Sequence, residues 1–338
     1  MSRERDYLFS NIKAFLIVMV VFGHFLELNE STVINDYVKM FIYFFHMPAF
    51  IFISGYFTKD VEKAQQKAFS SYLVPFFIMT ILYCIAYPFI ARGLVFRVVN
   101  PIFAAWYLQV LFFYKVSMKY LVKIKYILPI SVFMSLAAGM VPVLGKNFSL
   151  QRTFALFPMF LLGYYCKEEH VNKLRAIPKK ITVSILCVFA AGFYIFNHQY
   201  QLTYALLMNA ESYHAVGVSN ASGILVRVLI FCIALLFISL FLNLFPNKKT
   251  WYSYIGDNTL AVYSLHGIFY LYCKKNGVFQ GVSPVTAILI ELLVSAVIVF
   301  LFTLPKVNGL YGKLICLVTT FENNRIYGRK KHVEESTV

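Results

Sequence analysis

Long apolar runs are the feature that most constrains how this chain can fold. Runs of about 15 to 22 apolar residues recur along its 338 residues, and each is close to the length that crosses a ~30 Å hydrocarbon core as a helix. Apolar residues make up 60% of the chain, charged residues only 14%, and the mean hydropathy is +0.69. The runs are continuous rather than alternating, so they predict membrane helices and exclude a transmembrane β-barrel.

These runs predict an all-α fold, a polytopic membrane helical bundle of about ten transmembrane helices. We expect one membrane domain over residues 1–322, followed by a short polar cytoplasmic tail over 323–338 that is disordered. The predicted helices cover residues 7–28, 37–57, 69–90, 101–116, 126–144, 154–166, 181–196, 224–245, 259–273 and 285–304.

Positive charge is distributed unequally between the two sides of this predicted bundle. With the N-terminus inside, cytoplasmic segments hold 23 of the 31 Lys and Arg residues. The other eight are Lys39, Arg92, Arg97, Lys146, Arg152, Arg227, Lys274 and Lys275. This asymmetry follows the positive-inside rule and predicts that both termini are cytoplasmic. The net charge of +16 then faces anionic lipid headgroups, and nucleic acid is not needed to explain it.

The six cysteines show no paired spacing and lie in or beside apolar runs, so we predict neither a disulfide nor a metal site. The first apolar run lacks a small-residue cleavage site and is followed by many more spans. It is therefore predicted to be a retained helix rather than a signal peptide.

Ionisable residues inside the first two predicted helices are the main candidates for function. Lys13 and His24 are three helical turns apart, which places them nearly on one face and ~16 Å apart along the axis. Glu27 follows His24 by one turn, and His46 lies on the returning helix in the same outer half of the membrane. An ionisable group in hydrocarbon costs at least a few kcal/mol, so a functional role is the default hypothesis. Lys13 alone has an equally good alternative as a snorkelling topology anchor.

Other residues in apolar segments are open to structural or functional readings. Pro48 is predicted to kink the second helix, and Ser54-Gly55 is a small-residue site that permits close helix contact. His266 is a third intramembrane imidazole, in the ninth helix. Arg227 and Glu291 are expected to form a structural ion pair.

Aromatic residues near the outer face are candidates for substrate contact. Trp106 and Tyr107 are typical of an interfacial aromatic belt, with a surface that stacks a sugar ring as the alternative. Residues 197–220, which include Tyr213, form the longest polar stretch outside. Loops of this length are more often functional or lid-like than idle.

Several motifs together carry a family resemblance. They are Lys13-x10-His24 preceded by Asn11, Phe45-His46-Met47-Pro48, Ser54-Gly55-Tyr56, Trp106-Tyr107-Leu108, Gly256-Asp257-Asn258-Thr259 and Tyr263-Ser264-Leu265-His266-Gly267. In these motifs the chain resembles the acyltransferase-3 family of integral membrane acyltransferases, particularly the branch grouped with fucose 4-O-acetylases. Where that family has an acid shortly before the first-helix lysine, this chain has Ser10.

The resemblance implies a multi-pass enzyme of the bacterial plasma membrane. Such an enzyme moves an acetyl or similar acyl group from cytoplasmic acetyl-CoA to a hydroxyl of a cell-surface or lipid-linked glycan. The resemblance implies no metal cofactor. The implied catalytic residues are His24, His46 and Glu27. Lys13 and Asn11 are implied to bind acyl-CoA. The implied acceptor contacts are Trp106, Tyr107, Tyr213 and His266. His24 acts either as a general base or as the residue that accepts the acyl group, and spacing does not separate the two.

Two other functions fit a polytopic bundle with polar outer loops. In an exporter or flippase of polysaccharide intermediates, the imidazoles would line a polar path or relay protons. A glycan-sensing scaffold has no support beyond the outer loop. The Lys13-x10-His24 register and the His46-Met47-Pro48 helix favour the enzyme, because a permeation path requires neither.

Overall fold

A computed structural model describes residues 6–90, 99–145, 147–200 and 204–335, and these residues form helices and no β-strand. The all-α class is therefore confirmed. The α-helices are α1 Leu8–Phe25, α2 Val33–Tyr43, α3 His46–Tyr56, α4 Val61–Ala68, α5 Val74–Ile90, α6 Trp106–Leu121, α7 Ile127–Ala138, α8 Leu150–Tyr165, α9 Glu168–Arg175, α10 Lys179–Tyr200, α11 Asn220–Leu244, α12 Ser253–Asp257, α13 Thr259–Asn276, α14 Pro284–Thr303 and α15 Pro305–Glu335. Single 3₁₀ turns lie at Leu26–Leu28, Phe103–Ala105, Asn147–Ser149, Tyr204–Leu206 and His214–Val216, and a π-helical turn at Phe69–Leu73 joins α4 to α5.

Six helical stretches in the described part of the chain are long and apolar enough to cross a membrane. They are Leu8–Leu28, Val33–Tyr56, Val61–Ala86, Lys179–Gln199, Asn220–Leu244 and Pro284–Thr303. The other predicted spans correspond to α6, α7, α8 and α13, which are 16, 12, 16 and 18 residues long. The protein is a helical membrane bundle, while the number of about ten spans stays a prediction, as does the cytoplasmic position of both termini.

The second predicted span is two helices, because the chain breaks between Tyr43 and His46. Pro48 was predicted to kink this helix, and that prediction is confirmed. A proline cannot donate to the carbonyl oxygen four positions earlier, here Phe44, and its ring crowds that carbonyl, so the interruption lies in the turn before Pro48. The break places His46 in the first turn of a new helix.

Two segments expected to be irregular are helical. In the predicted cytoplasmic loop after the second span, α4 begins after Asp60, whose carboxylate accepts from the backbone N–H of Lys63 at 2.9 Å. This is an ordinary N-cap, and it places Lys63 and Lys67 on a helix. Helix α15 continues into the polar tail as far as Glu335, where a disordered segment was expected. Residues 336–338 lie outside the described residues.

Helix α1 lies at the centre of the bundle, in contact with α3, α12, α13 and α14. Beside it, α3 and α8 pack backbone against backbone. A Cβ on Gly55 would lie 2.0 Å from the carbonyl oxygen of Phe160, and one on Gly163 would lie 2.0 Å from that of Phe52. The close contact predicted at Gly55 is therefore confirmed. It fixes the end of α3 against α8.

The expected ion pair between Arg227 and Glu291 does not form. Nη1 of Arg227 donates to the carbonyl oxygen of Ser135 at 2.7 Å, and its guanidinium lies 4.7 Å from the ring centre of Tyr213. Glu291 instead accepts from the side-chain amide of Asn29 at 2.9 Å. The two residues are on helices that face different neighbours, which residue type and membrane depth alone do not reveal.

Candidate active site

A small cavity brings together His24 of α1 and His46 of α3. We call it the histidine cavity. It is lined by His24, Tyr43, His46, Met47, Pro48, Trp106, Arg152, Leu156, Leu207, Met208, Asn209 and Tyr263. Its volume is about 40 Å³, which is room for a few water molecules and not for a sugar ring. The outer loop contributes to its wall through Leu207, Met208 and Asn209.

Backbone carbonyls fix two of the three imidazoles. Nδ1 of His46 lies 2.9 Å from the carbonyl oxygen of Ile42, and Nδ1 of His266 lies 3.0 Å from that of Val262. A carbonyl oxygen only accepts, so each Nδ1 carries the hydrogen and each Nε2 keeps its lone pair. His266 does not line the histidine cavity, but its ring centre lies 5.5 Å from that of His24 in a stacked arrangement.

A carboxylate orients the third imidazole. Nδ1 of His24 lies 3.5 Å from Oε1 of Glu27. The same carboxylate accepts from the hydroxyl of Tyr43 and from that of Tyr270, the latter at 3.3 Å. Two phenols therefore hold the Glu27 carboxylate against one side of the His24 ring. That leaves Nε2 of His24 as the basic atom, the arrangement in which a base is oriented by a third group.

A second, larger cavity begins at Lys13, and we call it the lysine cavity. Its volume is about 280 Å³, and it is lined by Lys13, Ile17, Phe50, Ile53, Ser54, Phe57, Ser71, Tyr72, Tyr107, Leu108, Leu111, Lys115, Thr259, Leu260 and Tyr263. Tyr263 also lines the histidine cavity, and its ring centre lies 5.2 Å from that of Tyr107. The two cavities are thus neighbours, with the Tyr263 side chain in the wall of both.

A third, more open cavity of about 420 Å³ adjoins the lysine cavity, and we call it the basic vestibule. It is lined by Phe57, Lys59, Asp60, Lys63, Ala64, Lys67, Ser71, Tyr72 and Lys115. Phe57, Ser71, Tyr72 and Lys115 line both of these cavities. From the sequence, Lys59, Lys63 and Lys67 are predicted to lie in a solvated cytoplasmic loop, with a phosphate contact as the less favoured alternative. Two of them, Lys63 and Lys67, share this surface because the segment that carries them is helix α4.

Two of the vestibule lysines are held by uncharged oxygens. Lys115 is buried and donates to the carbonyl oxygen of Ser54 at 3.0 Å and to the hydroxyl of Thr58. Lys59 donates to the carbonyl oxygens at the end of α8, including that of Cys166 at 2.7 Å. Burial lowers the pKa of the Lys59 ammonium, and the interaction with Cys166 partly opposes this. A buried ammonium with only neutral partners leaves its positive charge available to an anionic ligand.

Asn11 is engaged elsewhere. It is fully buried, and its amide donates to the carbonyl oxygens of Pro246 at 2.8 Å and Lys248 at 3.0 Å. Its oxygen accepts from the hydroxyls of Thr250 and Ser253. The structure thus places Asn11 as a clamp on the segment before α12 and outside all three cavities. Binding of acyl-CoA by this residue stays a prediction.

Ser10, which stands where the related family has an acid, donates to Oδ1 of Asp257 at 2.7 Å. A carboxylate is therefore present beside the start of α1, supplied by α12 rather than by α1 itself. Sequence reasoning missed this, because the two residues are more than 200 positions apart.

The aromatic candidates separate into two groups. Trp106 lines the histidine cavity and Tyr107 the lysine cavity, so the two face different spaces. Tyr213 is fully buried away from both, packed against Gly139 and Gly223, with its hydroxyl donating to the carbonyl oxygen of Leu136 at 3.0 Å. It anchors the outer loop to the bundle, and its contact with substrate stays a prediction.

Comparison with known proteins identifies the family. The acyltransferase-3 family, whose model describes an acyltransferase domain, matches residues 7–305. The chain belongs to this family. A segment of 60 residues is 42% identical to nodulation protein NolL of Sinorhizobium fredii (strain NBRC 101917 / NGR234), and this match spans 16% of the chain and 16% of that relative. No solved structure matches.

The protein is thus a multi-pass helical membrane protein of the acyltransferase-3 family. Within the described residues, no group of three or more His, Cys, Asp or Glu side chains is arranged to hold a metal ion.

Proposed function

We propose that the protein is an O-acyltransferase of the bacterial plasma membrane that moves an acetyl or similar group from cytoplasmic acetyl-CoA to a hydroxyl of a cell-surface or lipid-linked glycan. The observation that carries this proposal is the sequence of adjoining cavities. The basic vestibule opens into the lysine cavity, which meets the histidine cavity at Tyr263. An anionic carrier with a long arm and a reactive end fits such an arrangement.

The basic vestibule suits the phosphate groups of acyl-CoA. Lys63 and Lys67 lie on α4, opposite Lys115 of α6, and ammonium groups bind phosphate as point charges. The pantetheine arm would then run through the lysine cavity past Lys13. Lys13 and His24 are separated by three helical turns, or ~16 Å, which is of the order of that arm's length. The thioester would therefore reach Tyr263 and the histidines.

The His24–Glu27 pair supplies the base for this reaction. Nε2 of His24 takes the proton of the acceptor hydroxyl while the hydroxyl oxygen bonds to the carbonyl carbon of the thioester. The tetrahedral intermediate then collapses, the C–S bond breaks, and the leaving CoA thiolate takes the proton from the imidazolium. If His24 accepts the acyl group first, its Nε2 bonds to the carbonyl carbon and the CoA thiolate leaves. In a second step the acceptor hydroxyl attacks the acyl-imidazole and gives its proton to Nε2 of His46, the His24 imidazole leaves, and the proton passes on to the thiolate. His46 lines the same cavity, and its Nε2 carries no hydrogen, so this residue serves as the second acid–base group.

The acceptor would approach from the outer loop. The histidine cavity admits a hydroxyl and an acyl group but not a whole sugar, so the ring must rest at its mouth. The Trp106 ring and the loop residues Met208 and Asn209 lie in that wall. An aromatic face beside a polar amide is suited to a glycan. The aromatic face can pack on the sugar ring, and the amide can form a hydrogen bond with a sugar hydroxyl. An exporter would need a wider path here.

The test is transfer of radiolabel from acetyl-CoA to a glycan extract of the host by the purified protein. We expect transfer by wild type and a loss of at least about 10²-fold in His24→Ala, with membrane insertion unchanged. His170→Ala is a matched control, because that histidine is half exposed on α9 and lines none of the three cavities. Retention of more than about a tenth of the activity by His24→Ala would remove this residue from the mechanism.

A further inference from the structure

Arg152 is a charged side chain in the histidine cavity that the mechanism above does not use. It lies near the start of α8 and lines the cavity together with His24 and His46. Its guanidinium sits 4.4 Å from the ring centre of Trp106, and its Nε donates to the carbonyl oxygen of Met208 at 3.1 Å. One nitrogen and one face of the guanidinium are thus fixed by uncharged neighbours.

The charge of Arg152 has no anionic partner of its own. No carboxylate among the residues that the structure describes forms an ion pair with it. Four acidic groups, Glu27, Glu211, Tyr43 and Tyr263, act on it electrostatically without forming an ion pair with it. Placing a cation within a membrane bundle is costly, and here the cost is not offset by a permanent salt bridge. A cation held this way on the wall of a small cavity is suited to a negative charge that appears there only during a reaction.

We propose that Arg152 is a catalytic residue that stabilises the oxyanion of acyl transfer. This inference rests on the proposed acyltransferase function. As the attacking atom bonds to the carbonyl carbon of the thioester, the C=O π electrons move to the carbonyl oxygen. The terminal N–H groups of Arg152 donate to that oxygen. When the C–S bond breaks, the electrons return to re-form C=O and the thiolate leaves with a proton from the imidazolium.

The same role holds whether the acceptor hydroxyl or His24 makes the first attack, because both routes pass through a tetrahedral oxyanion. Trp106 and the Met208 carbonyl hold the guanidinium in place before the charge develops, which is the condition for effective electrostatic catalysis. The size of the cavity favours this role over an anchor for a carboxylate on the acceptor. About 40 Å³ has room for an acyl group beside the imidazoles and not for a second substrate anion.

The experiment compares Arg152→Gln and Arg152→Lys with Arg227→Gln, using radiolabelled acetyl-CoA and the host glycan extract. Arg227 is a matched control, because it is also a buried arginine that stacks on an aromatic ring and donates to a backbone carbonyl, outside the histidine cavity. Each variant is normalised to the amount of monodisperse protein in detergent. Label transfer by wild type establishes the proposed function separately, so its absence would be a failure of that function and not of this inference.

We expect Arg152→Gln to lower kcat about 10²–10³-fold, with the KM for both substrates within about threefold of wild type. Arg152→Lys keeps the positive charge but lacks the planar, paired N–H donors of the guanidinium, so it should recover part of kcat. If Arg152→Gln does not fold, the kcat of Arg152→Lys is the value compared with wild type. Arg227→Gln should keep kcat within about threefold. The proposal is overturned if Arg152→Gln keeps more than about a third of kcat. It is equally overturned if the loss appears as a raised acceptor KM with kcat preserved, since that result assigns Arg152 to acceptor binding.

Discussion

Replacing Glu27 by Gln should lower turnover by at least about 10²-fold while leaving both KM values nearly unchanged. The change keeps the size of the side chain and removes its charge. In Glu27, Oε1 accepts from Tyr43 and faces Nδ1 of His24, whereas Oε2 accepts from Tyr270, so the single glutamine oxygen can replace only one of them. With that oxygen at the Tyr270 hydroxyl, the NH₂ group faces Nδ1 of His24. That nitrogen would then accept a hydrogen bond, so the hydrogen would move to Nε2 and the reactive lone pair would be lost.

The magnitude follows from the separation of the two groups. A carboxylate oxygen 3.5 Å from an imidazolium nitrogen stabilises it by about 5 kcal/mol at an effective dielectric constant of about 20. That corresponds to roughly 10³-fold in rate when the imidazolium forms only in the transition state. The amide dipole that replaces the charge recovers part of this, so 10²-fold is the lower bound that we expect.

The assay is initial-rate label transfer from acetyl-CoA to the glycan extract, with each substrate varied in turn. Tyr270→Phe is the matched control, because it removes one hydroxyl from the same carboxylate, at 3.3 Å, without changing its charge. This control should cost less than about fivefold, the range of a single hydrogen bond. If Glu27→Gln kept more than a third of wild-type turnover, the carboxylate would not orient the base, and the account of the His24–Glu27 pair would be wrong.

Three further predictions concern the donor side and the packing. Lys13→Ala should raise the KM for acyl-CoA more than it lowers kcat, and Lys13→Arg should be milder; an unchanged KM would leave Lys13 as a topology anchor. Lys115→Gln should raise the KM for acyl-CoA about tenfold, whereas Lys119→Gln, which removes a partly exposed ion pair with Glu62, should leave it unchanged. Equal effects of the two variants would contradict phosphate binding in the basic vestibule. Gly55→Ala should destabilise the protein by about 1–3 kcal/mol in detergent unfolding, since its Cβ meets a carbonyl oxygen at 2.0 Å, while Gly192→Ala meets nothing within 4 Å and should be neutral.

The membrane helices could be predicted because hydropathy is a local property of the sequence. The register of Lys13 and His24 on one helix was predictable for the same reason, since a helix fixes the angle and distance between positions eleven apart. The structure brings His24, His46 and Trp106 to one cavity, as their motifs suggested. Their catalytic and binding roles are proposals.

Residues whose importance depends on packing between distant helices could not be predicted. Arg152 and Lys115 were counted only as charges on one side of the membrane, yet each lines a cavity with residues far away in sequence. Asn11 shows the opposite error. A polar side chain two residues before Lys13 suggests a ligand, but a segment 235 or more positions later takes up its hydrogen bonds.

The break in the second span could be predicted in part. Pro48 predicted an interruption, and the helix is interrupted in the turn before it, at Phe44 and Phe45. The proline alone did not reveal that two separate helices would form there rather than one bent helix. The Phe45 ring at this break packs against those of Phe237 and Phe241, which lie far away in sequence.

The central claim is that the acyl group enters from the cytoplasmic side at the basic vestibule and leaves toward a glycan on the other side, past Tyr263. The most direct measurement uses sealed inside-out vesicles that contain the protein, with host glycan trapped in the lumen and radiolabelled acetyl-CoA added outside. We predict that label appears on the luminal glycan, and that it does not when the vesicles carry His24→Ala. Label found only on glycan added to the same face as acetyl-CoA would contradict the account, because the enzyme would then act entirely at the cytoplasmic surface.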